Sequence, residues 1–89
     1  MATPAQSFKD LGVWQKSHAL VLEVYTLTKR LPKEELFGLT SQMRRAAVSV
    51  PSNIGEGKRR KRQRALAHHL DIALGSQGEV EVQLAIAQR

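Results

Sequence analysis

The chain has 89 residues, no cysteine and a formal net charge of +6. That length holds one domain with a small core, and without cysteine neither disulfides nor a thiolate metal site can staple it, which leaves oligomerisation. No apolar run approaches the ~18 residues of a membrane span and the N-terminus has no hydrophobic signal core, so the expectation is one cytoplasmic domain over 1–89, away from membranes.

Residues 1–10 carry Pro4 and small polar side chains and read as a loose tail, with Asp10 a candidate cap for the first helix. That helix, amphipathic, is predicted over 11–31. Val13, Ser17, Leu20, Val24, Leu27 and Leu31 form its apolar face, widened by Trp14, Val21, Tyr25 and Thr28. Leu22 interrupts the polar face and is a candidate subunit contact. Leu31-Pro32-Lys33 breaks the helix, because the residue before a proline is steered away from helical angles.

The second helix is predicted over 34–57 and organises the rest. Glu34 and Glu35 suit its first turn, and Gly38 marks a bend or a delayed start. Leu36, Leu39, Met43, Ala46, Ala47, Val50, Ile54 and Gly57 keep one helical phase straight through Pro51. The pattern therefore implies a single helix kinked at Pro51, which lacks the N–H that would bond the Ala47 carbonyl, and closed by Gly57 at C′.

A third helix over 60–88 carries Leu66, Leu70, Ala73, Gln77, Val80, Leu84 and Ala87 on its main stripe, with Leu74 beside it. Val82 and Ile86 point elsewhere, so this helix needs a second packing partner: another subunit, or a further helix missing from the chain. Gly75, Ser76 and Gly78 form a small-residue patch suited to close helix approach.

Lys58, Arg59, Arg60, Lys61, Arg62 and Arg64 supply six of the fourteen basic residues; without them eight basic side chains balance eight acidic ones. The basicity is thus local to one inter-helix turn, where it either neutralises phosphates or an acidic partner, or is simply solvated. The only Trp and Tyr lie on the core side of the first helix, so contacts to backbone phosphates are expected rather than base stacking. Arg44 and Arg45 project away from the second helix's stripe, and either extend the basic surface, pair with Glu56 or an acidic residue of a neighbouring subunit, or are simply solvated; pairing or solvation is the favoured reading.

His68 and His69 are adjacent and do not share a ligand set, and His68 with Asp71 offers too few ligands, so no metal site is expected. Asn53 and Glu56 have no converging nucleophile or second carboxylate. They are assigned, with Pro51 and Gly57, to structure: bonding carbonyls freed by Pro51, or a partner helix. No catalytic residue and no cofactor is expected.

Phe8-Lys9-Asp10-Leu11, Val13-Trp14-Gln15-Lys16, the run from Phe37 to Gly57 (FGLTSQMRRAAVSVPSNIGEG), and Ile72-Ala73-Leu74-Gly75-Ser76 with Glu79 together resemble a known family across nearly the whole chain. It is the four-helix bundle family named for proteins encoded in intervening sequences of 23S ribosomal RNA genes, which includes accessory variability determinants of diversity-generating retroelements. The resemblance implies an antiparallel up-down bundle, here three long helices without the fourth, assembling as a homo-oligomer, a pentamer in known members. It also implies reverse transcriptase and nucleic acid as partners of the accessory determinants. Gly55 stands where the family usually has alanine, and Lys61-Arg62-Gln63-Arg64 where it offers a cap and acidic residues.

The expectation is therefore an all-α, non-catalytic oligomer. Lys58, Arg59, Arg60, Lys61, Arg62 and Arg64, with Arg44 and Arg45, would meet an RNA or DNA backbone. The alternative is a protein-binding scaffold using Val82 and Ile86, with Leu22 as a further contact.

Overall fold

The computed structural model describes residues 7–60 and 62–88, and these are helical, with no strand among them. Three helices carry the chain: α1 (Gly12–Thr28), α2 (Ser41–Arg59) and α3 (Gln63–Ala87). A 3₁₀ turn at Phe8–Asp10 precedes α1, and a 3₁₀ turn at Lys33–Glu35 followed by a wide π turn at Leu36–Thr40 leads into α2.

Each boundary has a local cause, and several differ from the pattern-based expectation. Residues 1–6 of the predicted tail lie outside the described residues, but Phe8–Asp10 is ordered by Ser7, whose Oγ accepts from the Lys9 N–H at 3.1 Å. Asp10 therefore sits inside that turn and does not cap α1; Leu11 takes the N-cap position, without a side-chain bond. α1 stops at Thr28 and not at 31. The Arg30 and Leu31 amides each bond three residues back, at 3.1 Å, a tightening that ends the α-helix ahead of Pro32.

α2 begins at Ser41, later than predicted, because Gly38 leaves the helical region (φ −108°, ψ −107°) and forces the wide turn. It continues past Gly57 to Arg59, so Gly57 is no C′ residue and its φ is not positive. Glycine is needed there for another reason. A Cβ at 57 would stand 3.1 Å from Leu66 Cδ1 and 3.2 Å from His69 Cβ, so its absence lets α3 cross close to α2. Pro51 is buried within α2. α3 starts at Gln63, not 60, because Arg60 and Arg62 adopt extended angles at the turn.

α2 is the central helix. One cluster joins Val24 of α1, Met43, Ala46 and Ala47 of α2 and Val80 of α3; a second joins Val50, Ile54 and Ala73, with Leu11 and Trp14 against it. Along α2 and α3 the partners step in opposite senses: Gly57 meets Leu66, Asn53 meets His69, and Ser49 meets Ser76. The two helices thus run in opposite directions.

The core is thin. Among the described residues, three of the eight buried hydrophobic side chains are alanines, and the radius of gyration of 14.7 Å exceeds the about 12 Å of a compact domain of this length. As a result, α1 and α3 are covered on one side only. Val13, Leu70 and Leu74, placed on or beside the apolar stripes, are exposed, and with Leu20 they line an open groove between α1 and α3. Ser17 and Thr28 are buried instead, each returning its hydroxyl to a helix carbonyl (Trp14 at 2.8 Å, Val24 at 2.7 Å).

Candidate nucleic-acid interface

The α2–α3 turn gathers most of the basic residues singled out from the sequence. Lys58 and Arg59 close the last turn of α2, Arg60 is its C-cap, Arg62 is the N-cap residue of α3, and Arg64 lies in its first turn. All five are exposed; Lys61 lies outside the described residues. The helix termini fix their energetics. Cations at the end of α2 meet the negative end of its dipole, whereas Arg62 and Arg64 face the positive end of α3, each unfavourable by about a few tenths of a kcal/mol. No side chain caps α3 to offset this.

Glu56 reaches Arg60 at 3.7 Å, one helical turn on, in an exposed pair that contributes little. It is the acidic partner of this turn and not of Arg44 or Arg45. Among the described residues no ion pair engages Lys58, Arg59, Arg62 or Arg64, so the turn presents a concentrated positive field to solvent.

Arg44 and Arg45 do not join this surface. Thirteen residues separate Arg45 from Lys58, which along a helix is about 20 Å. Arg44 is turned onto α1. Its Nε donates to Thr28 Oγ1 at 2.8 Å and its guanidinium lies 4.6 Å from the centre of the Tyr25 ring. Arg45 lines a polar cleft with Gln42, Glu79 and Gln83, where the buried Gln83 Oε1 has no hydrogen-bond partner.

Asn53 takes a structural role, though not at the carbonyl freed by Pro51. Its Nδ2 donates to the Ser49 carbonyl at 2.8 Å and to Ser49 Oγ at 3.0 Å, and its Oδ1 faces His69 Nδ1 at 3.0 Å. With Nδ2 committed to Ser49, Oδ1 is an acceptor, so the proton sits on His69 Nδ1. Ser76 Oγ donates to Ser49 Oγ at 2.8 Å, completing a polar seam between α2 and α3. The rings of His68 and His69 meet edge-on, with centres 5.3 Å apart. No group of three potential metal ligands occurs among the described residues.

Leu22, Val82 and Ile86 are 57%, 61% and 48% exposed. Among the described residues no helix is long and apolar enough to cross a membrane.

A second feature beside the turn had no clear signal in the pattern. Phe8 meets Trp14 edge-on with ring centres 5.3 Å apart, and Trp14 stacks on His18 at 5.0 Å. Phe8, Trp14 and Pro51, together with Ser52, Gly55, Glu56 and Arg59, line an open cleft of about 290 Å³. Gly55 makes room for the Phe8 ring: a Cβ there would stand 3.3 Å from it. The only hint in the sequence was that glycine, in place of the usual alanine.

The comparison with curated proteins gives no match. The family described as "23S rRNA-intervening sequence protein" matches residues 9–89, a span that includes all three helices and the basic turn between α2 and α3. With that coverage, the chain belongs to the 23S rRNA-intervening sequence protein family.

Proposed function

We propose that this chain is a non-catalytic, cytoplasmic, homo-oligomeric helical-bundle protein that associates with the phosphate backbone of RNA or DNA through Lys58, Arg59, Arg60, Lys61, Arg62 and Arg64. The observation that carries this reading is the location of the charge. These six residues equal the whole net charge of +6, and the five that are described are exposed on one turn. Of these, Arg62 and Arg64 are placed where they weaken the start of α3, so folding alone does not account for those two.

Supporting the bundle is the opposed stepping of α2 and α3 partners, and α2 is read as bent at Pro51, where the missing N–H loosens its hold on the Ala47 carbonyl. Supporting assembly, with the family's pentamer as the candidate form, are the thin core and the exposure of Leu22, Leu74, Val82 and Ile86.

Binding of labelled RNA and duplex DNA across a salt series tests the reading. If all six cations engage phosphates, affinity for duplex DNA falls roughly 40-fold on doubling the salt. Glutamine at the six positions should abolish binding while leaving the assembled mass unchanged. Equal binding by both proteins would refute the assignment. The second reading, a scaffold for a protein such as a reverse transcriptase, rests on the exposure of Val82 and Ile86. It predicts association that persists at high salt and is lost in a Val82→Ser, Ile86→Ser variant.

A further inference from the structure

We infer that the cleft beside the basic turn receives one unpaired base of a single-stranded nucleic acid whose phosphates lie on Arg59 and its neighbours, an inference that rests on the nucleic-acid reading and gives it a preference for single strands. The cleft and the turn meet at Arg59, which lines the first and belongs to the second. A strand anchored on the turn therefore has a base within reach of the cleft.

The chemistry of the lining selects a base over other parts of a nucleotide. Phe8 and Trp14, both half-buried, offer aromatic surface of the kind on which bases stack, whatever their identity; His18 covers one face of Trp14, and Pro51 in the lining is buried. At about 290 Å³ the cleft lies at the lower end of small-ligand sites, suiting one ring system and not a whole nucleotide. Glu56 lines it too, and its carboxylate repels a phosphate but accepts from an exocyclic amino group such as that of cytosine. The charge order, with Glu56 and Arg59 in the lining and the other cations outside it, fits a strand that keeps its phosphates on the turn, one of them at Arg59, and inserts a base. In a duplex the bases are paired and stacked, so a duplex engages the turn alone. Such insertion departs from the expectation that contacts are to backbone phosphates rather than by base stacking.

Trp14 is the only tryptophan, so its fluorescence reports on the cleft directly. The test compares the full chain's binding, at one salt concentration, to a single-stranded oligo-dC, to an abasic strand of the same length and charge, and to a duplex. The expected result is at least about five-fold tighter binding of oligo-dC than of the abasic strand, the low end for one stacked base, with quenching of Trp14 by oligo-dC only. Ser52 is exposed on α2 and lines the cleft, so Ser52→Leu should fill it, removing both the preference and the quenching while leaving abasic binding unchanged. Phe8→Leu, which removes the ring that meets Trp14 edge-on and lies against Gly55, should reduce both in the same direction. Equal affinity for oligo-dC and the abasic strand with unchanged Trp14 emission would overturn the inference and leave the basic turn standing. Failure of every strand to bind would overturn both.

Discussion

Gly75 and Gly78 lie inside α3, and a Cβ built on either meets nothing within 4 Å. Neither glycine has a positive φ, so alanine fits both backbones. Glycine is about 1 kcal/mol less favourable than alanine in a helix interior. With no neighbour to displace, Gly75→Ala and Gly78→Ala should each stabilise the isolated chain by about that much. Together they should give about 2 kcal/mol, which for a domain of this size raises the melting temperature by about 8–16 °C. The assay is thermal and urea unfolding followed by far-UV circular dichroism, at a dilution where sizing shows a monomer. A lower urea midpoint for either variant under those conditions would refute the reasoning, because it requires that face of α3 to be open in the single chain. The same variants probe assembly. If the glycines serve close approach of a helix from another subunit, the double variant gains stability as a monomer yet dissociates at higher protein concentration than the natural chain. A gain in both places that face outside the interface.

Two further substitutions isolate other parts of the structure. Arg62→Ser puts a capping hydroxyl at the uncapped N-cap of α3; the expected outcome is a gain of about 1 kcal/mol in urea unfolding, together with a salt slope for nucleic-acid binding that is shallower by about 1. Thr28→Val removes the acceptor of Arg44 Nε at 2.8 Å. It should cost about 1–2 kcal/mol, and a cycle with Arg44→Lys should show coupling of about 0.5–1.5 kcal/mol if that contact ties α1 to α2.

The second helix was the most legible element, and its position explains why. Met43, Ala46, Ala47, Val50, Ile54 and Gly57 hold one phase and are all buried, because α2 has a neighbour on each side to use that phase. Val13, Leu70 and Leu74 carry equally good periodicity and are exposed. Apolar period states which residues require cover, not whether the single chain supplies it. The seam through Ser49, Asn53, His69 and Ser76 was not legible for the converse reason. Polar residues at helical spacing look solvent-facing, and only the close crossing at Gly57 turns them inward. Of the proposed site, the charge cluster was plain from the sequence because it is contiguous. Phe8 and Gly55 are forty-seven residues apart and meet only once the 3₁₀ turn lies against α2, so the aromatic cleft was not.

At the basic turn, stability and the proposed binding pull against each other on one side only. Lys58 and Arg59 improve the end of α2, so their presence is explained by folding whether or not anything binds. Arg62 and Arg64 weaken the start of α3, and a serine or aspartate at 62 would serve the helix better. Phosphates held on the turn would relieve the repulsion among these side chains, so a bound strand should raise the melting temperature as any ligand selective for the folded state does. That rise should be smaller for Arg62→Ser, which is more stable alone but has one cation fewer to neutralise. A residue that costs the isolated fold and repays it only when an anion is present separates a binding surface from a merely solvated turn; Arg62 is the position where that distinction can be measured.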